Sequence, residues 1–149
     1  MASPSFDLRS SLVVIRWLRG VKMQLDELRV YVLSMEMGEK IWNIVMGWNY
    51  FAKDTVGKQL VRAVDSVASN LSEGFGRYHY REAINFGYYS RGSLYETRTW
   101  LTKAHNRGLI SGDLFDQFMQ DIDDIGVKLN NYIKSIGKQK GPPNDGEAK

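Results

Sequence analysis

Apolar residues recur along most of this chain at spacings of three and four, the period of a helix with one face turned to a core. The cleanest run is Val56, Leu60, Ala63, Val64, Val67, Ala68, Leu71 and Phe75. It predicts a helix closed by Gly74 and Gly76, residues suited to the left-handed backbone of a helix end. Ahead of it, Asp26 is a suitable N-cap. The helix it would start turns Leu28, Val32, Met35, Ile41, Trp42, Val45 and Trp48 inward, with a connector over residues 49–55. A third helix is expected over residues 80–106. Its inward stripe is Ala83, Phe86, Ser90, Ser93, Leu94, Thr97, Trp100, Leu101 and Ala104, with Gly87 alongside. Many of these are small, so this helix should approach a neighbour closely. Arg107 and Gly108 end it. Ser111 then caps a fourth helix with Asp113 in its first turn and Leu114, Phe115, Phe118, Ile122, Ile125, Leu129, Tyr132 and Ile136 on one face. No stretch alternates like a strand. Four amphipathic helices with short connections predict an all-α fold, an antiparallel up-and-down four-helix bundle over residues 23–137.

Composition changes this picture at the two ends. The chain has 149 residues and a net charge of +3, enough for one domain with a real core. Residues 1–22 carry Arg9, Arg16, Arg19 and Lys22 against Asp7, while the remaining basic and acidic residues cancel. The basic character therefore belongs to the leader and not to the body. That leader reads as a flexible basic tail or as a mis-called extension ahead of a native start at Met23. Its Ser- and Arg-rich composition is also shared by organellar transit peptides. Residues 138–149, with Gly-Pro-Pro-Asn-Asp-Gly, are expected to be a disordered tail. No apolar run approaches the ~20 residues of a membrane-spanning helix, so no membrane association is expected. Cysteine is absent, which removes disulfides, thiolate metal sites and cysteine nucleophiles, and fits a cytoplasmic location.

The search for catalytic chemistry returns no constellation. His79 and His105 lie at opposite ends of the third helix, about 40 Å apart at ~1.5 Å rise per residue, so one chain cannot bring them to one metal. Gly74-Phe75-Gly76 resembles part of a phosphate-loop glycine pattern, but it follows a helix and no third glycine completes it. Asp121, Asp123 and Asp124 fall within a helical period and read as a solvated face. No catalytic residue, cofactor or metal ligand set is therefore assigned. A ligand in a cleft lined by Asn70, Glu73 or Glu96 is what would revive an enzymatic reading.

Two polar patterns remain. Arg62, Ser66, Asn70, Glu73 and Arg77 are spaced along one side of the second helix, beside its apolar stripe. They form either a hydrogen-bond network that fixes helix and subunit packing, the preferred reading, or a ligand site. On the outer face of the third helix, Arg77, Arg81, Ile84, Tyr88, Arg91, Tyr95 and Arg98 interleave arginine with tyrosine. That composition suits a protein interface, ranked first, and phosphate contact with base stacking, ranked second. Residues 77–107 carry six basic and two acidic side chains, whereas residues 111–132 carry Lys128 against five aspartates. The two helices can neutralise each other within a subunit or between subunits.

The runs Asn70-Leu71-Ser72-Glu73-Gly74-Phe75-Gly76-Arg77 and Ser90-Arg91-Gly92-Ser93-Leu94-Tyr95-Glu96, with Arg62-Ala63-Val64 and Ser66, carry a family likeness. From about Leu25 to Ile136 the chain resembles the bacterial four-helix-bundle proteins first noticed in intervening sequences of 23S ribosomal RNA genes. The resemblance implies a bundle assembled as a homopentamer without established enzymatic activity. It also implies kinship with the accessory variability determinant of diversity-generating retroelements, which binds nucleic acid and a reverse transcriptase. The charge-neutral body of this chain departs from that basic relative. His79 departs from the serine many relatives carry there as part of a capping box with the glutamate matching Glu82. The expectation is an oligomeric scaffold or adaptor. Arg62, Arg77, Arg81, Arg91 and Arg98 are its candidate contacts to RNA or DNA. Ser66, Asn70, Glu73, Ser93 and Glu96 form its polar assembly stripe, and Tyr88 and Tyr95 its aromatic interface. The alternative is a purely structural interaction module that does not bind nucleic acid.

Overall fold

A computed structural model of the chain describes residues 23–138. The expectations for residues 1–22 and 139–149 lie outside the described residues. Helix α1 spans Arg29–Met46 and is led in by a tight turn at Leu25–Glu27, where Gln24 and Glu27 form a reciprocal capping box. Asp26 is therefore inside the turn and is not the cap. Helix α2 runs unbroken through Tyr50–Ala52, a wider π turn at Lys53–Gly57 and Lys58–Phe75. It begins earlier than its apolar stripe because the Asn49 side chain accepts from the Ala52 amide at 3.0 Å and caps it. The expected connector over residues 49–55 is thus mostly helix. Helix α3 is Tyr80–Asn106 and α4 is Gly112–Lys138, among described residues that contain no strand.

Each helix packs on its chain neighbours, and α4 returns to α1, so the four close into a ring of contacts in the order α1–α2–α3–α4. The core between them is filled by Met37, Ile41, Leu60, Val64, Leu71, Leu101, Ile125 and Leu129, all at 2% exposure or less. Such side chains contribute roughly 1.5–3 kcal/mol each on burial. The three buried hydroxyls are satisfied: Ser34 donates to the Val30 carbonyl, Thr97 to that of Ser93, and Ser90 across to that of Val67.

The joint after α2 differs from the expectation, while those around Gly108 and Ser111 fall where they were expected. Neither Gly74 nor Gly76 is left-handed; Gly76 has φ −79° and ψ −4°. Gly74 is buried inside α2 because α3 crosses there: a Cβ would stand 2.7 Å from the Cβ of Phe86 and 3.2 Å from the carbonyl oxygen of Ala83. The left-handed helix end is instead Gly108, at φ 72°. Its amide donates to the His105 carbonyl, and the Leu109 amide to that of Ala104, the paired bonds of a Schellman end. At the next joint the Ser111 hydroxyl accepts from the Leu114 amide at 3.2 Å, as a capping serine should.

The register of α1 is the larger correction. Its core face is Val30, Ser34, Met37, Gly38, Ile41 and Val45. Met35 and Trp42, expected inside, are 45% and 49% exposed. A serine and a glycine interrupt the true core stripe, while Met35, Trp42 and Met46 form a second apolar row beside it. Ser93, Phe86 and Trp100 of the expected α3 stripe are half-buried on its flank, and the rest of that stripe is buried.

Candidate functional site

The stripe on α2 is organised within its own helix. The Ser66 hydroxyl donates to the Arg62 carbonyl at 2.7 Å, and the Asn70 amide group to the Ser66 carbonyl at 2.8 Å. Arg77 pairs with Glu73 one turn away and lays its guanidinium over the Phe86 ring of α3, 5.1 Å from the centroid. No side-chain hydrogen bond from these five residues crosses to another helix among the described residues. Ser90, which the stripe does not include, supplies the side-chain hydrogen bond from α3 to α2, at 2.7 Å. Ser93 is half-buried on α3, and its carbonyl accepts from Thr97. Glu96 is exposed. Asn70, Glu73 and Glu96 do not line the grooves along α1–α2, α3–α4 or α1–α4.

On α3, the arginine–tyrosine row lies along the α3–α4 face. Arg91 stacks on Tyr88 at 4.8 Å and donates to the amide oxygen of Asn130 at 3.3 Å. Arg98 is ion-paired with Asp123, so the neutralisation expected between these helices occurs within the subunit at this pair. Between them runs an open groove of about 310 Å³, floored by Leu94, Ile122 and Gly126 and rimmed by Tyr95 and Val127. Tyr95 is 66% exposed. Arg81 lies a turn and more before Tyr88, exposed and beside the Tyr80 hydroxyl.

The α1–α2 face is not among the sites expected from the sequence. Its groove is lined by Tyr31, Ser34, Met35, Glu39, Asp65 and Ser69. Asp65 lies tight over Gly38, where a Cβ would stand 3.0 Å from its Oδ1. Partial burial, and secondarily the charge of Glu39, hold its carboxyl above the usual aspartate value. Neither acid has an ion-pair partner among the described residues. The exposed row Met35, Trp42 and Met46 borders this groove on α1, and Tyr50 and Phe51 continue the exposed apolar surface at the start of α2. The signal that could have found it is the competing period on α1, in which Val30, Ser34, Met37, Ile41 and Val45 keep helical spacing once serine is admitted to the core.

The two histidines are indeed at opposite ends of α3. His105 stacks on Phe115 with centroids 4.6 Å apart, and its buried Nδ1 has no hydrogen-bond partner among the described residues. Among those residues no group of three or more His, Asp or Glu is placed to hold a metal ion, and no helix is long and apolar enough to cross a membrane.

Together these observations define an all-α four-helix bundle that carries an acidic α1–α2 face and an α3–α4 face rich in arginine and tyrosine. The chain belongs to the 23S rRNA-intervening sequence protein family, whose model matches residues 26–131. The likeness read from Asn70–Arg77 and Ser90–Glu96 is thereby established. No curated protein matches the sequence. Among solved structures, the bundle is similar to a protein of unknown function from the S23 ribosomal protein family from Bacteroides thetaiotaomicron VPI-5482. That crystal structure is 22% identical over 70% of this chain and 95% of its own, with a TM-score of 0.63. At this identity the likeness concerns the fold.

Proposed function

We propose that this protein is a non-enzymatic homo-oligomeric scaffold or adaptor, a homopentamer, that acts through its helix faces. One observation carries the reading. With the core complete, Met35, Trp42 and Met46 on one side and Tyr88, Tyr95 and Val127 on the other keep 45–66% of their surface in water. Exposed methionine and aromatic rows of this kind mark protein–protein contact surfaces. Size-exclusion chromatography with light scattering tests the proposal. A mass of five chains is expected, and a clean monomer at micromolar concentration overturns it.

The adaptor half of the proposal assigns RNA, DNA or a nucleic-acid enzyme such as a reverse transcriptase as the further partner. What favours it is the division among the five candidate arginines. Arg77 and Arg98 are tied to Glu73 and Asp123, whereas Arg62 and Arg81 are exposed without an ion pair among the described residues. Arg62→Ala with Arg81→Ala should weaken RNA binding and flatten its salt dependence by roughly one unit of log–log slope for each phosphate no longer neutralised. No binding of RNA or DNA at any salt concentration leaves the protein-only interaction module as the function.

A further inference from the structure

We infer that copies of this chain join head to tail, the α1–α2 face with Trp42, Glu39 and Asp65 seating on the α3–α4 face with Tyr88, Arg91 and Tyr95 of the next copy. The inference rests on the self-association proposed above and names its contact.

The ring order of the helices puts the α1–α2 and α3–α4 faces on opposite sides of the bundle. A contact between unlike, opposed faces is heterologous, and it closes into a ring when the rotation per copy allows. The two rows also match in length. Met35 to Met46 spans about 16 Å of α1 and Tyr88 to Arg98 about 15 Å of α3, at ~1.5 Å rise per residue. Each row is flanked by a groove into which the other can set its side chains.

Charge selects this pairing over a two-fold one. Glu39 and Asp65 sit together without a cation among the described residues, and Asp65, raised in pKa first by partial burial, is raised further by the Glu39 charge. On the other face Asp123 offsets Arg98, while Arg91 has only the neutral Asn130 amide as hydrogen-bond partner. Joining like faces would set two acidic grooves together or two arginine rows together, and neither arrangement supplies the cation that Glu39 and Asp65 lack. Joining unlike faces gives Arg91 a carboxylate and lays tyrosine rings against Met35 and Trp42, within reach of the aromatic and sulfur contacts such side chains favour.

Two full-length variants test the pairing, each altered on one face: Glu39→Lys with Trp42→Lys, and Arg91→Ala with Tyr95→Ala. The altered positions lie on the outer sides of their helices, and the single changes Trp42→Lys and Tyr95→Ala, read in the same way, serve where a double variant loses helical content. Each variant alone is expected to run as a monomer, with self-association weakened at least tenfold. An equimolar mixture is expected to form a 1:1 dimer, because each copy keeps the face the other lacks; that rescue also shows both variants to be folded. Variants that separately keep the wild-type oligomer mass overturn the face pairing while leaving self-association standing. A variant that dimerises on its own, with nothing new on mixing, overturns it in favour of a two-fold contact. A wild-type protein that is itself monomeric overturns both proposals.

Discussion

The seam between α2 and α3 and the face between α1 and α2 are built from similar helices and end up unlike. At the seam Gly74 lets α3 approach until the backbone of Ala83 and the Cβ of Phe86 fill the place of a side chain, and Ser90 bonds the Val67 carbonyl. At the other face Met35, Trp42, Glu39 and Asp65 are all exposed. The seam holds much of what makes the chain recognisable, since Gly74 lies in the run Asn70–Arg77 and Ser90 opens the run Ser90–Glu96. The distinctive letters thus mark where two helices must come close. The surface open to a partner is written in ordinary ones.

The widest break in that contrast comes from Gly74→Ala. The added methyl meets backbone and a Cβ, neither of which can rotate away, so α2 and α3 must separate. Overpacking of this kind costs about 1–3 kcal/mol, and thermal denaturation should show a Tm lower by roughly 5–10 °C for a domain of this size. An unchanged Tm would mean that the seam is looser than its geometry. Gly87→Ala is the comparison: the atoms it would meet belong to the Ile133 side chain and not to backbone, so the loss, set by how far that buried β-branched side chain can shift, should not exceed that of Gly74→Ala. Next in size is Ser90→Ala, which removes one buried hydrogen bond between helices and should cost about 1 kcal/mol in urea denaturation.

The same contrast explains what can be read from the letters. Helix α2 is legible because its apolar stripe is uninterrupted, and α3 because its inward positions, though small, keep helical spacing. The bundle follows from those periods. Helix α1 misleads because it carries two apolar rows. The row with more conspicuous residues, Met35 and Trp42, is the outer one, and the core row admits Ser34 and Gly38. Periodicity counts apolar residues without knowing which row meets a neighbour. The role of Gly74 is hidden for a related reason: a glycine near a helix end has the same local sequence whether it terminates the helix or admits a crossing one. The Asp65 site is illegible because it depends on the approach of α1 to α2 at Gly38.

A smaller effect separates the polar stripe from the seam beneath it. Arg77→Ala removes an exposed ion pair with Glu73, for which about 0.3–0.5 kcal/mol is the usual contribution, and the cation–π contact on Phe86. The two together should cost no more than about 1 kcal/mol, below the loss in Gly74→Ala, and the ion-pair part should shrink in high salt. If Arg77→Ala costs as much as Gly74→Ala, the stripe is part of the seam and not a layer over it.

The smallest effect on folding, and the one that bears most on the open face, belongs to Asp65→Asn. In the isolated subunit the folded-state pKa of Asp65 lies above the ordinary aspartate value of 3.8, through desolvation and then Glu39. The ionised carboxylate therefore opposes folding. That opposition is absent well below pH 3.8, where Asp65 is protonated folded and unfolded, and grows as pH rises through the raised value. Asp65→Asn should accordingly raise the Tm of the monomeric subunit slightly at neutral pH, with the difference closing in acid. Self-association should respond with the opposite sign if Arg91 of the next copy supplies the missing cation: the same substitution then weakens the oligomer, and sedimentation at neutral pH should show a larger dissociation constant. A variant that folds more stably and associates no worse would place Asp65 outside the contact. One that folds more stably yet associates less well would show that the strain at this acid is relieved by assembly.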